Sequence, residues 1–451
     1  MPEIGHEGRR WLESARGISG QGLRITDDRL FREMVQKKGS PSPDEKTGRQ
    51  RKDWKGGSMK YLNEIDIAGK RVLVRVDFNV PLDEKQQVRD DMRIKTALPT
   101  LTYILAKGAK LIVASHLGRP KGKTVSSMSL RPVADHLSRL IGKTVRLAPD
   151  CIGRDVLDLV SRMQYSDLIL LENLRFHPEE EKNEDGFAKD LAALCDVYVN
   201  DAFGVSHRAN ASISAITKFA PVSAAGFLMQ KEITYVSQAL NHPQRPFVAI
   251  VGGAKVSGKL PAIENILKRV DKLIVGGAMA NTFLKSLGLD MGQSLVEDEM
   301  IGVAVSVMKQ AADKGVKFYM PVDVVAAERV DAEACVRMVP VQEIPPNWTA
   351  LDIGPATLSL YSEALYDAKT VIWNGPMGMF EMSPFSRGTM GMVQAVASSH
   401  ALTIVGGGET GEAVQKSGIS DRITYISTGG GAFLSLLEGK VLPGVAALES
   451  T

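Results

Sequence analysis

Cysteine is scarce: Cys151, Cys195 and Cys335 are the only three in 451 residues. They lie far apart and are odd in number. That excludes a disulfide framework and a CxxC zinc site, and it points to a reducing, cytosolic compartment. Long apolar runs are missing too, and none approaches the roughly 18–20 residues that a membrane span needs. A strong charge of one sign is also lacking. The formal net charge is +3, and residues 1–58 alone hold 13 basic and 9 acidic residues. The remainder carries 42 basic against 43 acidic residues, with no basic block to suggest a nucleic-acid partner. What is present is the composition of an ordinary globular chain, 44% hydrophobic and 24% charged. Its length suits about three domains of ~150 residues, or two larger α/β ones.

Residues 39–58 contain one apolar side chain, Trp54, among charges, Pro, Ser and Gly. Such a segment buries too little apolar surface to offset its ordering entropy, so residues 1–58 are expected to be a flexible extension. Residues 21–37 have the makings of a short helix. The extension lacks the apolar stretch of about 7–15 residues of a secretory signal, and its acidic residues argue against a transit peptide. The expected reading is an appended tail or an upstream start, with Met59 the natural beginning.

From Met59 onward, short β-branched runs alternate with helical stretches. Predicted strands in the first half are Arg71–Val76, Lys110–Ala114, Asp167–Leu171 and Asp196–Val199. In the second half they are Phe247–Val251, Lys272–Val275, Lys317–Met320, Thr370–Trp373, Leu402–Val405 and Ile423–Ile426. Several are continuously apolar, as parallel strands covered on both faces should be. Amphipathic segments such as Arg131–Leu140 and Leu260–Val270 lie between them. The rhythm predicts an α/β chain of two doubly wound parallel-sheet, Rossmann-like lobes. Met229, Ile233, Val236 and Leu240 share one helical face before Asn241–Pro246 breaks the chain. The lobes are therefore expected at 59–228 and 243–434, joined by a hinge helix at 229–242.

Ligands of open parallel sheets sit beyond the carboxyl ends of the strands, so the residues just after each strand carry the functional information. In the first half these are basic and polar: Arg75, Asp77 and Asn79 with Arg93 shortly after, then His116 and Arg119, Arg175, and Asp201, His207 and Arg208. Any one of them alone reads as a solvated loop charge. Four strand ends with one signature predict a site for phosphate or carboxylate, which guanidinium groups bind bidentately. Cys195 and His177 read as structural.

In the second half the strands end in glycine: VGGAKVSGK, IVGGAMAN, WNGPMGMFE, VGGGETG and STGGGA. Glycine lets backbone N–H groups approach a phosphate, and the helix N-termini that follow add favourable dipoles. Gly253–Lys259 matches most of a P-loop, but Leu260 stands where a magnesium-binding Ser or Thr belongs. Gly406–Gly411 satisfies GxGxxG after a strand. No acidic residue lies between Arg422 and Leu437, however, where a dinucleotide ribose would need one. Lys255, Lys259, Glu381 and Glu409 lie in or beside the glycine segments. No Ser–His–Asp or Cys–His signature appears, and phosphoryl transfer needs none, because its catalysis is mostly positioning and charge stabilisation.

RVDFNVP (75–81), SHLGRP (115–120), LLENLRF (170–176), VNDAFG (199–204), GGAKVSGK (252–259), WNGPMGMFE (373–381) and STGGGA (427–432) together resemble the signatures of the phosphoglycerate kinase family. They stand in that family's order and cover essentially everything from Met59 onward. The resemblance implies reversible phosphoryl transfer between 1,3-bisphosphoglycerate and ADP, giving 3-phosphoglycerate and ATP in glycolysis, with Mg2+ and by direct in-line transfer on hinge closure. It implies that Asp77, Asn79, Arg93, His116, Leu117, Gly118, Arg119, Arg175, His207 and Arg208 bind the glycerate. Arg93, Lys255 and Lys259 would be the catalytic residues. Lys259, Gly276, Gly277, Asn374, Pro376, Glu381, Gly407, Gly408, Glu409 and Thr410 would hold the nucleotide, and Glu409 the metal. It further implies a cytoplasmic monomer, hinges at 227–240 and 427–431, and a C-terminal segment, 435–451, packed back on the first lobe.

Two departures stand out besides Asn210, which occupies a position where relatives often have His. Position 409 is Glu where the family usually has Asp in GGGD[ST]. The extra methylene moves the carboxylate by about 1.5 Å, which leaves direct and water-mediated magnesium contact both open. The other departure is the extension itself. Two further readings follow: an impaired paralogue with a binding role, and a nicotinamide-dependent oxidoreductase built on the GGGETG loop. The second leaves the first-half arginines unexplained.

Overall fold

Residues 59–450 are described by the structure, a computed structural model. The extension and the short helix expected at 21–37 lie outside the described residues. Contacts divide the chain into two units, Met1–Lys55 and Gly56–Thr451.

Six strands form the first sheet: β1 (Arg71–Arg75), β2 (Lys110–Ala114), β3 (Arg146–Leu147), β4 (Leu168–Leu170), β5 (Val197–Asn200) and β6 (Ser223–Ala225). Their order is β3-β4-β2-β1-β5-β6, and every pairing is parallel. After the helix Phe227–Asn241 come β7 (Phe247–Val251), β8 (Lys272–Val275) and β9 (Lys317–Tyr319). A separate three-stranded sheet follows, made of β10 (Asp323–Ala327), β11 (Val336–Pro340) and β12 (Thr349–Ile353). Strands β13 (Thr370–Asn374), β14 (Leu402–Gly406) and β15 (Tyr425–Ile426) then complete a second parallel sheet in the order β15-β14-β13-β7-β8-β9. The two-lobe, Rossmann-like expectation is met. Each strand predicted from periodicity is present within two residues of its expected bounds.

The antiparallel sheet is the departure. Strands β10 and β12 are mostly buried, while β11 presents Val336 and Met338 to solvent. A search for continuously apolar strands does not find such an edge. The two-residue β3 is too short, and the buried β6 (Ser-Ala-Ala) too small in its side chains, to leave an apolar run.

Local chemistry explains the elements. Central strands such as β7 and β13 are buried along their whole length because helices cover both faces. The helix Arg131–Ile141 starts with Pro132 in its first turn and stops at Gly142, whose φ of 67° is the left-handed cap that glycine adopts without strain. The helix Leu260–Ile266 ends earlier than expected, although Leu267 and Val270 remain buried beyond it. One apolar cluster runs from the first sheet (Leu73, Ile112) through Met229, Val236 and Leu240 of the helix Phe227–Asn241 into the second sheet (Phe247, Leu273). Among the described residues no helix is long and apolar enough to cross a membrane.

Candidate active site

In each parallel sheet the chain winds outward on one side and then returns to the other. The strand order reverses between β1 and β5, and again between β13 and β7. At such switch points the loops part and leave a crevice at the carboxyl ends of the strands. The expected site residues follow these four strands and their neighbours β2, β4, β8 and β14.

In the first crevice, Asp77 follows β1 and accepts an ion pair from Arg93 at 2.8 Å; Arg93 lies in the first turn of the helix Met92–Ala106. The Arg93 side chain is 39% exposed, so its free guanidinium edge faces the crevice. Asp77 Oδ1 is 3.8 Å from His116 Nδ1, and Arg75 Nη2 is 3.2 Å from the same nitrogen. Arginine only donates, so Nδ1 accepts and the proton of the neutral ring is assigned to Nε2. Burial, reinforced by Arg75, Arg175, Arg93 and Arg208, holds the His116 pKa well below the usual imidazole range. The ring is therefore neutral at pH 7, and its electrostatics report that four guanidinium groups converge here.

The arginines are held in place. Arg75 Nε donates to Ser212 Oγ at 2.8 Å, and buried Glu180 accepts from Ser212 N (2.8 Å) and Oγ (2.6 Å) while lying 4.0 Å from Arg75. Arg175 Nη1 donates to the Gly118 carbonyl at 2.9 Å, and its Nε lies 3.3 Å from Glu181. The Gly118 N–H donates to Asn79 Oδ1 at 2.9 Å, and Asn173 donates to the Leu117 carbonyl at 2.7 Å. Asn79, Leu117, Gly118 and Arg175 thus form one hydrogen-bonded rim. Arg119 and Arg208 are exposed; Arg208 Nε donates to His207 Nε2 at 3.2 Å. Burial and then Arg208 lower the His207 pKa. Asp201 is not on the rim. It turns inward and accepts from the N–H groups of Leu228 (2.9 Å) and Met229 (3.1 Å), capping the helix Phe227–Asn241. A Cβ at Gly226 would lie 2.3 Å from its carboxylate.

The second crevice is built backbone against backbone. Gly253 N–H donates to the Pro376 carbonyl and Gly277 N–H to the Met377 carbonyl, each at 3.0 Å. Cβ atoms would lie 2.2 Å from Pro376 O at Gly252 and 2.4 Å from the Met377 sulfur at Gly276. Gly277 also has φ 67°. Only glycine permits this approach. Beside it, Asn374 Nδ2 donates to the Gly406 carbonyl at 2.8 Å, the Gly375 N–H donates to Thr410 Oγ1 at 2.8 Å, and Lys259 Nζ reaches Asn374 Oδ1. Burial lowers the Lys259 pKa, while the Glu409 and Glu438 carboxylates oppose that. Gly407 (φ 108°) precedes the helix Gly408–Lys416, whose first turn carries Glu409. Glu409, Glu381 and Lys255 are exposed.

One segment touches both crevices. A Cβ at Gly429 would lie 2.6 Å from Phe203 and 2.9 Å from Gly204; at Gly431, 3.0 Å from His207; at Gly430, 3.2 Å from Gly407. A small cleft lined by Asp77, Arg93, Gly204 and Thr428 marks where the two sides meet. Thr428 donates through N (2.8 Å) and Oγ1 (3.0 Å) to Glu232 of the helix Phe227–Asn241. Glu232 is fully buried, and burial pushes its pKa up to about 7.

Glu180, Ser212, Asn173, Glu232 and Thr428 escaped the sequence reading. Glu232 left a signal, a carboxylate three residues beyond Met229 on an otherwise apolar stripe. Glu180 left none, because PEEE reads as a solvated turn.

The model of the family "Phosphoglycerate kinase" matches residues 62–440. The phosphoglycerate kinase of Desulfosudis oleivorans is 59% identical over 391 residues, covering 87% of this chain and 99% of the relative. That of Geobacter metallireducens is 58% identical over 393 residues, covering 87% and 99%. Among solved structures, phosphoglycerate kinase from Coxiella burnetii superposes with TM-score 0.79 at 40% identity over 87% of this chain and 99% of that one. The Pyrococcus horikoshii enzyme does so with TM-score 0.76 at 32% identity over 86% and 98%.

Proposed function

Because the chain belongs to the phosphoglycerate kinase family, it is a glycolytic kinase with a carboxyl-group acceptor, and we propose how its residues share that work. The reaction moves a phosphoryl group reversibly between 1,3-bisphosphoglycerate and ADP, giving 3-phosphoglycerate and ATP. In our reading the first crevice takes the glycerate and the second the nucleotide. Asp77, Asn79, His116, Leu117, Gly118, Arg119, Arg175, His207 and Arg208 bind and orient the three-carbon acid and its phosphate. Neutral His116 suits a hydrogen-bonding role rather than a further positive charge beside the four guanidinium groups.

Arg93 is read as the group that meets the transferring phosphoryl from the glycerate side, with Lys255 and Lys259 meeting it from the nucleotide side. Positive groups held around three equatorial oxygens stabilise a loose transition state without covalent chemistry by the protein. Asn374, Pro376, Gly407, Gly408 and Thr410 cradle phosphates, Gly276 and Gly277 line the base side, and Glu381 takes the ribose. Glu409 fits a magnesium role. It is a hard oxygen donor on an exposed first turn, and among the described residues it has no hydrogen bond or ion pair to give up. Bound Mg2+ would neutralise charge on the nucleotide phosphates.

The observation that carries this reading is the glycine segment 429–431, against Phe203, Gly204 and His207 on one side and Gly407 on the other. Such contacts support a hinge at 427–431, paired with the helix at 229–242. Closure would bring donor and acceptor in line and exclude water from the acyl phosphate. Scarce cysteine and the absence of a long apolar stretch support a cytoplasmic enzyme, which we read as a monomer of two lobes, 59–228 and 243–434, with 435–451 on the first.

The test is ATP- and Mg2+-dependent turnover of 3-phosphoglycerate coupled to NADH oxidation by glyceraldehyde-3-phosphate dehydrogenase. The full chain is assayed beside a form starting at Met59. Turnover that needs both Mg2+ and 3-phosphoglycerate supports the reading. Nucleotide binding without turnover in either form refutes it in favour of an impaired paralogue.

A further inference from the structure

Away from both crevices, three chemically different side chains meet at the edge of the first sheet. Asp150 and Cys151 follow β3, and His177 follows the turn Leu174–Phe176. His177 Nε2 lies 2.7 Å from Asp150 Oδ1, which also accepts the Cys151 N–H at 2.6 Å. The carboxylate oxygen, the thiol sulfur and the imidazole nitrogen all lie within 4.8 Å of one another. Cys151 forms the buried floor, and the Asp150 and His177 side chains are 46% and 26% exposed, so an ion from solvent reaches the cluster without unfolding.

The Glu179 carboxylate, two residues beyond His177, adds negative charge that acts on it, and among the described residues its buried Oε2 has no hydrogen-bond partner. The mixed S, N and O donor set selects the ion. Magnesium and calcium take oxygen, whereas a thiolate with an imidazole and a carboxylate suits zinc, with water at the remaining position.

We propose that Asp150, Cys151 and His177 form a Zn2+ site that ties the loop after β3 to the turn carrying Arg175. Binding forms the Zn–S bond and releases the thiol proton to solvent, with no change of oxidation state. The half-exposed Asp150 and His177 side chains are free to shift toward zinc bond lengths of about 2.0–2.2 Å around a fixed sulfur, for which about 2.3 Å is usual. The tie acts on the turn that holds Arg175 and, through Glu180 and Glu181 just beyond, on the groups that hold Arg75 and Arg175. The sequence excluded a CxxC site, and this one uses two adjacent ligands and a distant histidine instead.

Co2+ tests the proposal, because its bond to a thiolate has a charge-transfer band in the near ultraviolet that oxygen and nitrogen ligands do not produce. Full-length protein bearing Cys335→Ser, which removes the exposed thiol, is titrated with Co2+ in excess Mg2+ and without nucleotide. The band should grow to one equivalent and be displaced by Zn2+. Cys151→Ser should abolish it. His177→Gln, which keeps a polar side chain toward Asp150, should weaken Co2+ binding at least about tenfold while leaving turnover within about twofold. No band at stoichiometric Co2+, a band that survives Cys151→Ser, or affinity unchanged by His177→Gln would overturn the site.

Discussion

Glu232→Gln probes the buried carboxylate of the helix Phe227–Asn241. Burial raises its pKa from 4.5 to about 7, against the opposing hydrogen bonds from Thr428. The folded chain therefore holds this proton more tightly than the unfolded chain, and stability is lost as pH rises between those two values. At pH 8 the ionised carboxylate costs about 3 kcal/mol relative to the neutral acid; at pH 5 the figure is below about 1 kcal/mol. Glutamine keeps a carbonyl acceptor for Thr428, cannot ionise, and can still hydrogen-bond the Tyr425 hydroxyl, which interacts with the Glu232 carboxylate. Urea unfolding of both proteins at pH 5, 6, 7 and 8 should show the variant more stable by about 2–3 kcal/mol at pH 8, with the gap nearly closed at pH 5. Asp201 and Asp352, also raised by burial to about 6 and about 7, are common to both proteins and cancel in the difference. A variant that is destabilised at pH 8, or a gap of equal size at every pH, would refute the reasoning.

Further expectations concern activity. Arg93→Ala should lower kcat about 10²–10³-fold, as loss of one preorganised charge donor does, while nucleotide affinity measured by fluorescence stays within about threefold. Its partly exposed ion pair with Asp77 should contribute about 1 kcal/mol in unfolding assays. Gly429→Ala places a methyl against Phe203 and the Gly204 backbone, so overpacking of about 1–3 kcal/mol should fall on the contact between the lobes. Steady-state kinetics should then show kcat falling more than nucleotide affinity. Glu409→Gln should raise the Mg2+ concentration for half-maximal rate about tenfold or more without changing the KM for 3-phosphoglycerate, measured by Mg2+ titration in the coupled assay.

The parallel sheets were legible because strands buried on both faces leave continuous apolar runs, as Phe247–Val251 does. The candidate site was read by a related rule, that residues just past parallel strands border the crevices, as Asp77 past β1 and His116 past β2 do. What the sequence hid depends on long-range partners. The three-residue motif Ala-Lys-Val says nothing of Glu297, which accepts the Ser257 N–H at 3.0 Å and braces the loop between Lys255 and Lys259. Asp201 looked like a ligand because it follows a strand, and only the fold shows that it caps a helix more than twenty residues on. Strand β11, with an exposed face and no covering helix, carried no apolar run to find.

The helix Pro443–Glu449 has a consequence for synthesis. Leu442, Val445 and Leu448 are buried, and the Gly444 N–H donates to the Ser206 carbonyl at 3.0 Å, where a Cβ would sit 2.8 Å from Ile213. The first sheet is complete at Ala225, yet the helix that covers Ser206 and Ile213 leaves the ribosome only after the whole second lobe. At about 5–20 residues per second, the nascent first lobe waits on the order of ten to forty seconds with that apolar spot bare. Over that interval the growing chain presents a binding site for chaperones, and a ribosome that stalls within the second lobe leaves a product that cannot hide it.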